Sequence, residues 1–460
     1  MIFSRGVSIG IFVKYAPGTS KGCTVSYADL WGPRESKYAW LSSHDVATTT
    51  WQDLTPRTPA YFFTPQNRSL SEEYESGWKL TAMMPVNSVG LYTARDGLAI
   101  QETKANLRAV LKGFISLPVE VAREKYHLGP DSRDWQVALA QKDVRSTKLS
   151  DDRLQPIVYR PFDTRFTYYT GVSRGVICMP RPEVMQHMIA GENQAICFMR
   201  NSREQIVSNF FVARHLVDKT ILSSADNANV APLYLYPSTR SPELFDLNTD
   251  TSSDAPGGRR PNLSPAFVVD MSARLNLRFV SDGRGNLRET FGPEDVFDYM
   301  YAVFHSPGYR ARYAEFLISD FPRLPLTTNA DLFRALCRLG TRLIALHTME
   351  LFGSALPMYD VAGNNQVERI EYRAASEEPV QGQVYINATQ YFDGVPPDVW
   401  EFQVGGYQVC QKWLKDRRGR VLSYEEIRQY QCIVAALAET IALMEQVDEA
   451  IEEHGGWPMV

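Results

Sequence analysis

Residues Leu154 to Tyr236 read LQPIVYRPFDTRFTYYTGVSRGVICMPRPEVMQHMIAGENQAICFMRNSREQIVSNFFVARHLVDKTILSSADNANVAPLYLY. Short β-type runs (PIVY, FTYY, AICFM, NFFVA, PLYLY) alternate with Arg-bearing turns, and Pro182 and Gly191 frame one short helix. From Arg145 to Arg214 there are nine Arg and one Lys against six Asp or Glu, on a chain whose net charge is −5. A local basic, aromatic surface on an acidic protein is the pattern of a nucleic-acid reader.

Outward from this block the character changes. At 460 residues and 44% hydrophobic, the chain is long enough for two to four domains or lobes. No apolar run approaches the roughly 18 residues that span a bilayer, so a soluble, cytoplasmic protein is expected. Cys23, Cys178, Cys197, Cys337, Cys410 and Cys432 show neither CxxC nor His-partnered spacing, which argues for free thiols and against a zinc site. Arg outnumbers Lys 36 to 12. That bias suits bidentate phosphate and guanine contacts, and a GC-rich genome produces the same bias.

YRPFDTRFTYY (159–169), the Arg-Pro-Glu-x-Met-x-His helix and the closing APLYLYP resemble the C-terminal specificity region of type ISP restriction-modification enzymes and related large adenine methyltransferases. DVFDYMYAVFHSPGYRARYAEFLISDFPRLPL (295–326) and VGGYQVCQKWLKDRRGR (404–420) are similar to the same region in the same order. The resemblance implies sequence-specific recognition of duplex DNA. It also implies that GVSIGIFVK (6–14) is a strand inside a methyltransferase domain, so that the chain starts partway through that domain. WGPRESKYAWL (31–41) fits the same register.

The expected fold is α+β: a two-lobed, mixed sheet-and-helix DNA-recognition region preceded by the last strands of a Rossmann-like methyltransferase sheet. Residues 1–100 are assigned to the partial methyltransferase domain and following strands, and 101–237 to a helical connector and basic β-rich lobe. Residues 238–265, rich in Ser, Pro, Asp and Gly, read as a mobile insertion. The C-terminal lobe, 266–460, ends in a long helix over 423–454. There Ser423 and Glu426 form a capping box, and Ile427, Tyr430, Val434, Leu437, Ile441 and Met444 repeat at helical spacing.

The chemistry of methyl transfer is not visible in this sequence. No Gly-rich cofactor loop and no Asn/Asp/Ser-Pro-Pro-aromatic loop occurs; the only Pro-Pro stands in Val395-Pro396-Pro397-Asp398. There is no GxxxxGK[ST] and no His spacing for a metal. S-adenosyl-methionine, and ATP with magnesium for a helicase-nuclease, are therefore expected on modules outside this chain, and double-stranded DNA and those modules are its expected partners. A stand-alone metal-dependent nuclease and a protein-interaction scaffold are the competing readings.

The candidate DNA contacts come from three places. In YRPFDTR, Arg160 and Arg165 either reach phosphate or a base edge with Asp163 orienting one guanidinium, or lock a packed corner as structural ion pairs. Tyr168 and Tyr169 alternate along their strand, so at most one faces DNA. Arg174 and Arg181 sit in turns, where reading side chains are often mounted, and Arg200 and Arg203 follow. Lys415, Arg417 and Arg418, before the last helix, are either phosphate anchors or a solvated face.

Overall fold

The computed structural model describes residues 9–14, 23–56, 61, 63–65, 68–202, 207–237, 255–374 and 381–459. The chain divides into two compact units, Met1–Glu72 and Glu73–Val460. This division falls well before residue 100, where the sequence reading put its first boundary.

In the first unit, β1 (Val25–Tyr27) pairs antiparallel with β2 (Gln52–Leu54), and the helix Arg34–Ser43 lies between them in sequence. Among the described residues no further strand joins this pair, and Ile9–Lys14, part of the expected strand, carry no strand pairing. None of the unit's described residues is buried; Phe12 is 85% and Trp31 77% exposed. A segment this rich in aromatic residues, yet without a core, has apolar surface left to cover.

In the second unit β3 (Trp78–Lys79) pairs with β16 (Arg323–Leu324). The basic block then folds into two four-stranded sheets. In one the order is β10 (Leu216–Val217), β6 (Leu154–Arg160), β7 (Asp163–Tyr168), β5 (Ile100–Gln101), with β10 parallel to β6 and the other pairs antiparallel. The other runs β4 (Ser88–Val89), β11 (Ala228–Pro232), β8 (Ala195–Met199), β9 (Phe210–Ala213), all antiparallel. AICFM and FFVA are buried at every position, which is why they read as unbroken apolar runs rather than alternating ones.

The stretch 238–265 is not uniform. Residues 238–254 lie outside the described residues, whereas β13 (Arg260–Pro261) pairs with β12 (Tyr234–Leu235), and Asn262 bonds the backbone of Val86 and Pro232. Beyond it β14 (Arg278–Phe279) runs parallel to β15 (Thr290–Phe291), and β17 (Glu371–Ala374), β18 (Gly382–Tyr385) and β19 (Tyr391–Val395) form an antiparallel meander.

Three helices, Pro293–His305, Ala330–His347 and Tyr424–Glu453, pack together behind the sheets. The middle one is capped by Asn329, whose side chain accepts from the N–H groups of Asp331 and Leu332 at 2.9 and 3.2 Å. Gly340 lets it approach its neighbour: a Cβ there would stand 1.9 Å from the Asp298 carbonyl oxygen. The last helix begins at the anticipated capping box, with Glu426 N donating to Ser423 Oγ at 3.2 Å and Ser423 N to Glu426 Oε2 at 3.0 Å. Its fully buried positions pass from Leu437 to Thr440, Leu443 and Val447, while Ile441 packs half-buried against the core and Met444 is half-buried beside them. No helix of the described residues is long and apolar enough to cross a membrane.

Candidate nucleic-acid interface

The YRPFDTR corner is an internal junction. Phe162 turns the chain from β6 to β7 with φ of 62°, its ring buried against Phe211 and His347. Arg160 donates to Asp218 Oδ1 at 3.0 Å and lies 3.8 Å over the Tyr159 ring. Asp163 receives Arg165 at 2.8 Å and Arg417 at 2.9 Å. Arg417, from the basic turn before the last helix, also meets Glu426 at 3.3 Å and stacks 3.5 Å over Trp413. Arg420 closes the network on Glu426 and Glu102 at 2.9 and 3.1 Å. Asp416, which reaches Arg165 at 3.9 Å and is also paired with Lys412, belongs to the same cluster. Four guanidinium groups (160, 165, 417, 420) and one ammonium (412) thus face five carboxylates (102, 163, 218, 416, 426), and the cluster is neutral. Burial alone would raise the Asp163 carboxyl, but the Arg417 and Arg165 charges outweigh it and hold it below the usual carboxylate range.

Three candidate contacts are therefore corrected. Arg160 and Arg417 are buried and spent on ion pairs, so neither presents a guanidinium to solvent. Tyr168 is fully buried, its hydroxyl shared with Thr147 Oγ1 at 2.6 Å and accepting from Ser150 N at 3.1 Å. Tyr169 is buried as well, because this sheet is covered on both faces and alternation exposes neither ring. Arg165 keeps only 12% of its side chain exposed, and Arg203 lies outside the described residues.

Of the remaining candidates, Arg174, Arg200, Lys415 and Arg418 are exposed and Arg181 is half-buried. Arg174 is exposed, with a left-handed φ of 61°, on a turn closed by its own N–H to Cys178 O at 2.9 Å. That turn is organised from beneath by a residue the sequence reading did not single out. Asp143 is buried, and its Oδ2 accepts from Val176 N at 2.9 Å and Thr170 Oγ1 at 3.0 Å; burial pushes the carboxyl's pKa up against those bonds. A Cβ on Gly175 would lie 2.1 Å from Asp143 Oδ2, so glycine is required beside Arg174. Arg174 Nη2 donates to the carbonyl of Arg133, itself an exposed arginine, at 2.6 Å.

Arg181, at φ of 52°, precedes the short helix Pro182–Met185. Its Nη2 lies 3.6 Å from Met179 Sδ, and its buried Nε has no hydrogen-bond partner among the described residues. Met179 bridges to Tyr92, over whose ring Lys219 Nζ sits at 3.8 Å. Arg174 and Arg181 are two of twelve non-glycine residues with a left-handed φ among the described residues, a conformation that costs energy for any side chain. Arg174 beside the Arg133–Asp134 ion pair, closed at 2.9 Å, and Arg181 with Lys219 around the Tyr92–Met179 pair, make a basic platform on rigid supports. Lys219 and Arg133 carry no local signal beyond single charges, since their place depends on long-range pairing.

Arg200 is exposed 5.7 Å from the Phe321 ring. Lys415 and Arg418 are exposed too, Arg418 Nε donating to Glu368 O at 3.1 Å. His187, inside the short helix region, is packed: its Nδ1 accepts from Tyr236 N at 3.1 Å, and burial with the nearby Arg260 charge pushes it down to about 4. Among the described residues no group of three or more His, Cys, Asp or Glu could hold a metal ion.

The model of the type ISP C-terminal specificity domain family matches residues 82–446, a span that holds both sheets, the charge network and the basic platform. The chain belongs to this family. As a type ISP specificity domain it has solved structural neighbours with the same fold. One is a nuclease-deletion mutant of the type ISP restriction-modification enzyme LlaGI in complex with a DNA substrate mimic, with TM-score 0.61 and 18% identity over 94% of this chain and 39% of that one. Another is the ATP-dependent type ISP enzyme LlaBIII bound to DNA, at 0.59 and 17% over 88% and 25%. A third is a DrdV–DNA complex, at 0.62 and 17% over 90% and 42%. This specificity domain thus spans a quarter to two-fifths of the length of the chains it matches. No curated protein matches.

Proposed function

We propose that this chain reads a specific sequence in duplex DNA on behalf of a type ISP restriction-modification system. The observation that carries the reading is the pair Arg174, exposed, and Arg181, half-buried, each at a left-handed φ on a platform inside the family's specificity region. The turn of Arg174 is organised by Asp143 and Arg181 follows the Tyr92–Met179 bridge, so each guanidinium is offered with little ordering cost, and an arginine fork suits guanine O6 and N7. The solved neighbours, described as DNA complexes, support the same reading.

Methyl transfer and cleavage would then be carried by polypeptide outside this chain, where S-adenosyl-methionine and ATP with magnesium would bind. Residues 1–72, whose described side chains leave Phe12, Trp31 and Trp51 exposed, would complete their core against that methyltransferase part, supplying the last strands of a Rossmann-like sheet.

Selection of bound duplexes from a randomised pool, followed by titration at several salt concentrations, tests the proposal. Enrichment of one sequence and a log–log salt slope of roughly −4 or steeper are expected, since each phosphate contact contributes about −0.9 on B-DNA. No enrichment and a slope near zero would overturn it.

A further inference from the structure

The helix Ala330–His347 carries arginine at every fourth position: Arg334, Arg338 and Arg342. Four residues advance about 6 Å and slightly more than one turn, so the three stems form a stripe along one side. Arg342 is engaged by Glu439 at 2.6 Å. Arg334 and Arg338 instead line a surface cleft of about 510 Å³, whose opposite wall is Asn286, Leu287 and Arg288 from the turn between β14 and β15. Arg288 and Arg338 are exposed, and neither guanidinium has an ion-pair partner among the described residues.

The wall bearing Arg288 is rigidly built. Asn286 Oδ1 accepts from the N–H groups of Arg288, Glu289 and Thr290 at 2.9, 2.8 and 3.1 Å, and Asn286 N donates to Thr290 Oγ1 at 3.0 Å. Leu287 is held in the left-handed region at φ of 58°, where a branched apolar residue is strained. Its carbonyl accepts from Arg334 Nη1 at 3.1 Å, which ties the turn to the helix. Of the nearby carboxylates, Asp331 is taken by Arg334 and Glu289 is exposed on the same turn. Two unpaired guanidinium groups therefore face one cleft from two fixed walls, an arrangement that suits oxyanions able to accept paired N–H donors.

We propose that this cleft is a second, sequence-independent anchor that grips the phosphate backbone of duplex DNA through Arg288 and Arg338. It lies outside the 154–236 block and inside the family span, and the inference rests on the duplex-binding reading given above. The test compares the full chain with its R288A/R338A double variant on the selected duplex and on a scrambled duplex of equal length; R288K/R338K retains the charges. With about −0.9 per phosphate, losing two contacts flattens the log–log slope by about 1.8 and shrinks the affinity lost between 50 and 200 mM salt by about twelvefold. The change should be the same on both duplexes, with the lysine variant close to the parent and all three melting alike.

If the parent binds duplex and the alanine variant keeps its slope, the anchor is refuted while the reading function stands. A loss confined to the selected site would make the cleft a base reader, and binding of ATP that the alanine variant loses without any change in duplex slope would assign it to a free nucleotide; either overturns the proposal. Failure of the parent to bind duplex at 50 mM salt would remove the reading function and the anchor together.

Discussion

Replacing Arg417 with alanine should cost the fold, not the DNA contact. The side chain is 5% exposed and its partner Asp163 2% exposed, and breaking a buried pair from one side costs about 3–5 kcal/mol because a charge is left behind. Two features pull the value to the lower end: Asp163 keeps Arg165 at 2.8 Å, and Glu426 keeps Arg420 at 2.9 Å. Lost stacking on Trp413 works the other way, so about 3 kcal/mol is expected. With an unfolding entropy of about 2.1 cal/mol/K per residue over the roughly 390 residues of Glu73–Val460, that lowers the midpoint by about 4 °C. Arg418, exposed one residue further on, should move it by less than about 1 °C when replaced by alanine. Differential scanning calorimetry of both variants, run beside duplex titrations, is the assay. An Arg417→Ala protein that melts like the parent but loses affinity on every duplex would show that Arg417 is a phosphate anchor and that the network has been misjudged.

Arg174→Ala should leave the melting midpoint in place and cost about 1–3 kcal/mol on the selected duplex but little on a scrambled one; equal losses on both would move Arg174 to the backbone-contact class. Acid should destabilise the fold well before carboxylates protonate. Burial holds His187 near 4 and His347 near 3, below the ordinary 6.5, so the unfolded state binds more protons below that value and stability present above pH 6.5 is lost as pH falls. Each histidine contributes roughly 1.4 kcal/mol per pH unit between 6.5 and its folded value, and a urea midpoint that stays flat from pH 7 to 5 would contradict this. Asp163 adds a later loss, beginning only below about 3.8. A thiol reagent should titrate one cysteine in the native protein, the exposed Cys23, and six in denaturant, since Cys178, Cys197, Cys337, Cys410 and Cys432 are buried; rapid reaction of more than one would place a further thiol at the surface.

The local grammar of the sequence carried most of the secondary structure. The capping box at Ser423 and Glu426 and the apolar runs of β6 to β9 are signals set within a few residues. The fate of each arginine was not legible in the same way. Arg160 finds Asp218 58 residues on, and Arg417 finds Asp163 254 residues back. A basic stretch reads identically whether such partners exist or not, so composition overstated the charge that the 145–214 block presents. Arg174 does stand in a turn whereas Arg181 caps the helix Pro182–Met185, and the left-handed φ of both was not legible, since the turn of Arg174 is organised by Asp143 and Arg181 follows the Tyr92–Met179 bridge. The Arg288–Arg338 cleft left one trace, arginine at every fourth position of a helix, which becomes informative only once the facing turn is known.

The pairing of β3 with β16 carries a consequence for how the chain comes into being. Trp78 and Lys79 meet Leu324 and Arg323 across about 245 residues, and Glu73 takes Arg312 across a similar gap. At a synthesis rate of about 5–20 residues per second, the first strand leaves the ribosome roughly 12 to 50 s before its partner exists. The sheets of the basic block complete earlier, but the seam that closes the unit around them waits for the ribosome to pass residue 324. Until then the partly made protein exposes apolar strand edges, so its soluble yield in a cell should respond to translation speed and to chaperone supply more than its final stability would suggest.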